Sequence, residues 1–198
     1  GIPLLFFWTP EKKLTGVVVN IACPSQETEA LMQVSADFWC EVRQELRRRH
    51  GQDLFILPQC AAAGDNSPHR MFRKDAEEAM LQRKGISRRQ EIANRIANAV
   101  DEVLPTAADQ AKFALALKHL VMDLDLPERQ PPAPSFGVTD SVHPAPVHAI
   151  RIGDVAMATN PFELYLDYGL RIQARTHAIL TFLVQQSDAQ SGYLPTAE

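Results

Sequence analysis

The sequence contains little cysteine: three residues among 198, namely Cys23, Cys40 and Cys60. Three thiols make no even set, and no two of them stand in a C-x-x-C spacing, so a disulfide scaffold and a zinc ribbon are both disfavoured. Histidine is sparse too, and none of the six forms an H-x-x-x-H or H-E-x-x-H pair. The helix-borne zinc site of a zincin is therefore excluded.

Long apolar runs, a dominant charge and internal repeats are also missing. No stretch reaches the roughly 18 apolar residues of a membrane span, and no signal peptide is visible. Lys and Arg total 20 against 24 Asp and Glu, a formal charge of −4, so the charge predicts no nucleic-acid surface. We predict no transmembrane segment and no nucleic-acid partner, and the composition leaves the compartment and the oligomeric state open.

The hydrophobic content of 45% is enough for a sizeable core. A chain of this length buries roughly 70% of its unfolded surface, so one domain is the default expectation. The chain begins at Gly1 without a Met and ends abruptly at Glu198. We therefore expect a single α/β domain over residues 1–198 that is a fragment of a longer protein.

Apolar, β-branched and aromatic runs predict the strands of this α/β domain. Gly16–Ala22 is apolar on both faces, which is typical of a central strand. We predict a mixed sheet, flanked by helices, in which this segment is joined by Leu54–Leu57 and Thr181–Gln185. The other predicted strands are Ile2–Trp8, a strand between Ala114 and Leu126, and a hairpin of Val147–Ile152 and Val155–Thr159.

Two helices of the first half carry capping signals. Ser35 is a candidate N-cap for a helix that His50-Gly51 ends. Ser87 with Gln90 forms a capping box for a second helix, which should stop before Pro105.

Three further segments are less regular or lie later in the chain. Met71–Lys84 is charged and weakly periodic, as in a solvated helix or a mobile connection. Pro127–Pro146 contains six prolines, which favours an extended, solvent-facing crossing. Asn160-Pro161 opens a predicted helix that carries Phe162, Leu166, Gly169 and Leu170 inward.

The stretch 53–69 joins a predicted strand to a turn that carries a candidate reactive side chain. Gly64–Pro68 places turn-forming residues and one hydroxyl in five positions. Ser67 would lie beyond the carboxyl end of a strand, where open α/β sheets collect their ligands, and would suit a nucleophile. The alternative is a surface turn in which Asp65 and Ser67 hydrogen-bond their own backbone, since any turn selects such residues.

Six short motifs follow one another across most of the chain: Val19–Ser25, Val34–Phe38, Gly64–Pro68, Asp125–Arg129, Asn160–Glu163 and Ser191–Thr196. In this order they resemble the neutral ceramidase family of metal-dependent amidases, and especially its uncharacterised bacterial ceramidase-like relatives. The resemblance implies a ceramidase-like catalytic core and hydrolysis of amide bonds in small-molecule or lipid N-acyl substrates. It also implies a secreted or cell-envelope location.

The resemblance assigns roles to individual residues. Ser67 corresponds to the serine that attacks the amide carbonyl, and Asp65 of the same motif is the second catalytic candidate. Arg49 corresponds, one residue out of register, to a substrate-binding arginine, although a cation also suits a helix C-terminus. His69 lies two residues beyond Ser67, and we consider it as a substrate-binding residue, a local base or a metal ligand.

The resemblance also implies a zinc ion held by two histidines, a glutamate and a tyrosine. Glu163 matches the glutamate, although it would equally complete a capping box after Asn160. Tyr193 matches the tyrosine, and Cys23 stands where a histidine is expected. A thiolate can bind zinc at about 2.3 Å, whereas a buried free cysteine usually behaves as a small hydrophobe.

The leading hypothesis is a zinc-dependent amidase in which Ser67 is the nucleophile. The rival is a non-catalytic ceramidase-like binding or structural domain that has lost a zinc ligand. Because the candidate ligands are incomplete, we expect this 198-residue piece alone to hydrolyse no amide at a measurable rate.

Overall fold

The computed structural model describes residues 1–127 and 144–196. These residues form two compact units, each assembled from three stretches of chain. The stretches of unit 1 are Gly1–Val19, Pro24–Gln59 and Ser67–Phe113, and those of unit 2 are Asn20–Cys23, Cys60–Asn66 and the described part of Ala114–Glu198. The single domain over residues 1–198 stays a prediction.

The first sheet has three strands in the order β1-β2-β3, and their bounds are Leu4–Trp8, Leu14–Ile21 and Phe55–Cys60. β1 and β2 are antiparallel. Gly16 lies beside the Phe55 carbonyl, and the Ala61 amide donates to the Ile21 carbonyl at 2.8 Å. Because these contacts advance in the same direction along both strands, β2 and β3 run parallel. The predicted central position of β2 is confirmed, and its residues 16–21 are buried.

Unit 1 contains three helices, α1 (Phe38–His50), α2 (Lys74–Lys84) and α3 (Arg88–Asp109). α1 buries Phe38, Val42 and Leu46, which recur every four residues and so line one face of the helix. α1 packs against α3. α2 occupies most of the charged stretch 71–84 and buries only Leu81.

Two predicted helix ends in unit 1 are wrong. The N-cap of α1 is Asp37 rather than Ser35: the Asp37 carboxylate accepts from the Phe38 amide at 2.7 Å, and Ser35 Oγ accepts from the Asp37 amide at 3.0 Å. α3 does not stop before Pro105 but continues to Asp109. A proline so close to a helix end removes one backbone hydrogen bond from an exposed turn, and the remaining turns hold the helix.

Unit 2 contains a four-stranded sheet in the order β4-β5-β6-β8, with bounds Leu117–Leu124, Ala145–Ile152, Val155–Thr159 and Leu180–Val184. β4, β5 and β6 are antiparallel neighbours, and β8 is parallel to β6. The fold class is therefore α/β with a mixed sheet flanked by helices, as predicted. The expectation that Thr181–Gln185 shares a sheet with Gly16–Ala22 is wrong, because β8 pairs with β6 and completes a separate sheet.

The remaining elements of unit 2 are two short strands and a helix: β7 (Glu163–Leu164), β9 (Tyr193–Leu194) and α4 (Leu166–Arg175). The helix predicted to open at Asn160-Pro161 begins only at Leu166. Asn160 Oδ1 accepts from the Phe162 amide at 3.0 Å, which closes a local turn before the chain enters β7. Gly169 is buried as predicted, but Leu170 is exposed.

The predicted extended crossing from Pro127 to Pro146 lies mostly outside the described residues; of its last three residues, Pro144 is in a bend and Ala145 and Pro146 begin β5. Among the described residues, no helix has the length and apolarity needed to span a bilayer.

Candidate functional site

The Gly64 turn of unit 2 passes very close to β7. The Gly64 amide donates to the Leu164 carbonyl at 2.9 Å. A Cβ at Gly64 would lie 2.5 Å from the Glu163 carbonyl oxygen, a distance that no side chain tolerates. The motif therefore needs glycine here because the two backbones touch, and this contact fixes the position of Glu163.

Glu163 and Tyr193 form a side-chain pair in unit 2. β7 and β9 are parallel with Glu163 opposite Tyr193, so the two side chains leave the same face. The Tyr193 hydroxyl donates to the Glu163 carboxylate, and this hydrogen bond together with the carboxylate charge raises the pKa of Tyr193. The two residues that the resemblance assigns to the metal are thus adjacent, although 30 residues separate them in sequence.

Cys23 and Cys60 lie together at the carboxyl ends of β2 and β3. The Cys60 thiol donates to the Cys23 carbonyl at 3.6 Å. Burial raises the pKa of Cys60 to about 11, and the neighbouring Cys23 and the Glu163 carboxylate act in the same direction. Cys60 is therefore a protonated thiol at neutral pH. The influence of both neighbours on one sulfur places Cys23, Cys60, Glu163 and Tyr193 in one region of unit 2.

Gln185 connects the strands that carry this region. Its Oε1 accepts from the Ala63 amide at 3.1 Å and from the Leu164 amide at 3.2 Å, and its Nε2 donates to Cys60 Sγ at 3.4 Å. Gln185 is buried. Sequence reasoning did not identify Gln185 or Cys60 as parts of the region, since neither stands in a motif or at a diagnostic spacing.

Asp65 and Asn66 position the turn by contacts within unit 2. The Asp65 carboxylate accepts from the Leu166 amide at 2.8 Å and so caps α4, whose own N-cap residue supplies no side-chain acceptor. Asn66 Nδ2 donates to the Ala22 carbonyl at 3.1 Å. These contacts give Asp65 a helix-capping role, and its predicted catalytic role stays a prediction.

Ser67 and His69 lie in unit 1, and both are exposed. Ser67 Oγ accepts from the His69 amide at 3.1 Å, which is the local turn contact considered from the sequence. His69 Nε2 lies 2.7 Å from the Gln26 carbonyl. A carbonyl only accepts, so Nε2 carries the proton and cannot take one from Ser67.

Charged residues that the sequence did not single out surround His69 in unit 1. Glu27 is influenced by Arg88, His69, Asp37 and Arg70, and burial outweighs their combined effect and raises its pKa. His69 Nε2 also lies 3.6 Å from the Glu29 carboxylate. No short motif joins these residues, so only the fold reveals the group.

Arg49 lies in unit 1 and contacts acidic and amide groups of α1 and α3. Its guanidinium donates to Glu45 at 2.7 Å, to Asn98 at 2.9 Å and to Asp101 at 2.6 Å. Burial lowers the pKa of Arg49, but the hydrogen bonds and charges of Glu45 and Asp101 outweigh it, so the pKa is raised. Arg49 therefore cross-links the two helices, and its role in binding substrate stays a prediction.

The predicted site residues are divided between the two units. Cys23, Asp65, Glu163 and Tyr193 lie in unit 2, and Arg49, Ser67 and His69 lie in unit 1. Glu163 lies beside Tyr193, and Cys23 lies beside Cys60 in the same unit. The convergence of Ser67 with Cys23, Glu163 and Tyr193 on one cleft stays a prediction.

The described residues do not fit a complete zinc site. Within 1–127 and 144–196, no group of three or more His, Cys, Asp or Glu side chains is arranged to hold a metal ion. Glu163 and Tyr193 supply two oxygens, and a structural or catalytic zinc needs three or four protein ligands.

The fold is similar to that of solved ceramidases. A structure described as a ceramidase complexed with C2 matches with a TM-score of 0.70 and 14% identity, over 98% of this chain and 42% of that one. The neutral ceramidase of Pseudomonas aeruginosa matches with a TM-score of 0.69 and 15% identity, over 98% of this chain and 40% of that one. The chain thus spans about two fifths of their length. No protein-family profile and no curated protein matches the sequence.

Proposed function

We propose that this chain is part of a hydrolase that cleaves amide bonds in N-acyl, ceramide-like substrates. The observation that carries the proposal is the ceramidase-like fold, which extends over 98% of the chain. The reaction class adds one water across a carbonyl–nitrogen bond and releases a carboxylic acid and an amine. The fold alone fixes no chemistry, so the proposal rests on what the individual residues add.

Ser67 is the proposed nucleophile. It is exposed, follows the tight Gly64 turn, and its Oγ lone pair accepts from the His69 amide. That amide orients the oxygen but removes no proton, and His69 Nε2 is protonated toward Gln26. His69 Nε2 is therefore not the base for Ser67, and the proton must pass to His69 Nδ1, to another group or to water.

The proposal includes zinc binding, for which the described residues supply only part of the ligand set. Glu163, Tyr193 and Cys23 are the candidate ligands, and further donors would have to come from residues outside 1–127 and 144–196. When bound, such an ion would lower the pKa of a hydroxyl or water and polarise a carbonyl.

The test is hydrolysis by the complete gene product of a panel of ceramides and N-acyl amino acids, with and without added zinc. Ser67→Ala should reduce kcat/KM by at least about a hundredfold, because it removes the attacking oxygen. Thr106→Ala removes an exposed hydroxyl from α3 and should leave the rate unchanged. Full activity in Ser67→Ala would refute the nucleophile assignment.

A second candidate is a non-catalytic ceramidase-like binding or structural domain. Two observations favour it: the incomplete donor set and a cysteine at the position where the resemblance expects histidine. No turnover on any N-acyl substrate, with saturable binding of the same lipids, would support this candidate over the amidase.

A further inference from the structure

A row of three polar side chains crosses part of the four-stranded sheet of unit 2. Asp188 Oδ2 lies 2.9 Å from His148 Nε2, and His148 Nδ1 lies 2.8 Å from His119 Nε2. His119 is on β4, His148 is on β5, and Asp188 follows β8, so all three belong to unit 2. None of them is among the candidate site residues, and their contacts therefore call for a separate account.

The two imidazole rings of this row meet edge to edge. Their planes are inclined by 8° and their centroids lie 5.0 Å apart. That separation exceeds the nitrogen–nitrogen distance of 2.8 Å by about the diameter of one ring, so both nitrogens lie close to the line that joins the ring centres. A hydrogen bond prefers this in-line arrangement. The backbone of His148 is held as well, because its amide donates to Thr159 Oγ1 at 3.1 Å.

The carboxylate of Asp188 determines where the protons of the two neutral rings lie. An ionised carboxylate only accepts, so His148 Nε2 carries a proton and donates it to Asp188. The neutral His148 ring then has a lone pair on Nδ1, and His119 Nε2 must be the donor to it. His119 therefore has its proton on Nε2 and a lone pair on Nδ1. Because His119 is an exposed residue, that lone pair is open to a solute.

This arrangement contains the three parts of an activated nucleophile. Such a site needs a nucleophile, a base within hydrogen-bond reach of it, and a third group that orients the base. His119 supplies the lone pair, and His148 is the base that can accept the Nε2 proton. Asp188 orients His148 and stabilises the positive charge that His148 acquires with this proton. An isolated surface histidine lacks both the base and the orienting carboxylate.

Apolar side chains flank His119 on its face of the sheet. Leu117 and Val121 lie two positions away along β4 and so leave the same face. Ile150 is the direct neighbour of His119 on β5. Leu117 is 72% exposed and Val121 is 51% exposed. A short apolar acyl group can therefore lie against these side chains while its carbonyl carbon reaches Nδ1.

We propose that His119, activated by His148 and Asp188, is a nucleophile that accepts short apolar acyl groups from activated esters. Nδ1 attacks the carbonyl carbon, a carbon–nitrogen bond forms, and the ester carbon–oxygen bond breaks with its electron pair leaving on the alcohol oxygen. The Nε2 proton passes to His148 Nδ1. Water then cleaves the carbon–nitrogen bond: its hydroxyl completes the carboxylic acid, His148 returns its proton to His119 Nε2, and the second water proton goes to solvent. The proposal does not depend on the amidase proposed for Ser67.

The first test is the second-order rate constant for release of p-nitrophenolate from p-nitrophenyl acetate by the complete gene product. A Ser67→Ala background is used, so that esterolysis by the proposed amidase nucleophile does not contribute. In this background His119→Ala should lower the rate constant by about tenfold or more, because it removes the attacking lone pair. His177→Ala removes another exposed imidazole of unit 2 and should leave the rate constant unchanged. An undiminished rate constant in a folded His119→Ala variant would overturn the proposal.

The second test separates activation by His148 and Asp188 from a merely structural contact. His148→Gln keeps an acceptor for His119 Nε2 but cannot take up its proton, and Asp188→Asn keeps an acceptor for His148 but carries no charge. Both variants should lower the rate constant several-fold while nitrogen-15 NMR still shows the proton of His119 on Nε2. Undiminished rate constants in both variants, or a wild-type spectrum with the proton of neutral His119 on Nδ1, would refute the proposal. Circular dichroism of each variant confirms that it is folded.

Discussion

At the scale of single residues, Gln185 is the clearest case of one side chain serving several elements. It is buried and satisfies two backbone amides, those of Ala63 and Leu164, and it also contacts the Cys60 thiol. A buried amide without an acceptor is costly. The Gly64 turn and β7 therefore depend on Gln185 for their place in unit 2.

Gln185→Ala should lower the free energy of unfolding by about 2 to 4 kcal/mol, because it leaves two buried N–H groups without an acceptor and opens a small cavity. Urea denaturation, followed by circular dichroism, measures the change. Gln190→Ala, the same truncation at an exposed position, should change the midpoint little. Equal effects of the two variants would contradict the role assigned to Gln185.

At the scale of elements, the contact between the Gly64 turn and β7 holds the candidate site residues of unit 2. The turn hydrogen-bonds to Leu164, and β7 carries Glu163 beside Tyr193 of β9. The core under these strands is built from small and branched residues, Ala61, Ala62, Leu164 and Leu183. A small shift of the turn would therefore move Glu163 directly.

Gly64→Ala should destabilise the protein by about 2 to 3 kcal/mol, because its Cβ would meet the Glu163 carbonyl and backbone cannot move aside cheaply. Gly16→Ala is the matched control. Its Cβ would meet Phe7 and Phe55 at ordinary distances of 3.6 Å, so a near-neutral effect is expected. The melting temperatures of the two variants, compared with that of the wild type, test this prediction. A Gly64→Ala variant with an unchanged melting temperature would disprove the close contact.

The strands were predicted well from the sequence because their signals are local. The apolar run at Gly16–Ala22 and the Gly153-Asp154 turn determine β2 and the β5–β6 hairpin within a few residues. The prediction that a helix begins at Asn160-Pro161 was wrong for a non-local reason. Asn160 is a good helix-starting residue, but its side chain closes a turn, and Glu163 pairs in β7 with a strand 30 residues away.

The residues of the candidate site also fall into those that local sequence indicates and those that only the fold reveals. The position of the Gly64 turn after a strand follows from spacing, so Ser67 and Asp65 could be named from the sequence as candidates, and their catalytic roles stay predictions. Gln185, Cys60 and Glu27 were not, because their roles arise from partners distant in sequence. The position of Arg49 in the sequence indicated a role at the end of a helix. Its partners Asn98 and Asp101 on α3 are visible only in the fold.

At the scale of the whole molecule, the division of the candidate residues between two units governs how the proposed function can be tested. Unit 2 holds Glu163, Tyr193 and Cys23, and unit 1 holds Ser67. The proposed metal binding and the proposed nucleophilic attack are therefore tested with different variants, Glu163→Gln for the first and Ser67→Ala for the second.

Zinc content of the complete gene product is the measurement that separates the amidase from the non-catalytic candidate. About one tightly held zinc per chain is expected for the amidase. Glu163→Gln should weaken zinc binding by more than about tenfold, since it replaces an anionic ligand by a neutral amide that also retains the hydrogen bond to Tyr193. Glu102→Gln, at an exposed position of α3, should bind zinc as the wild type does. A wild type without zinc, or a Glu163→Gln variant with undiminished zinc, would contradict the ligand assignment; the first result would also favour the non-catalytic domain.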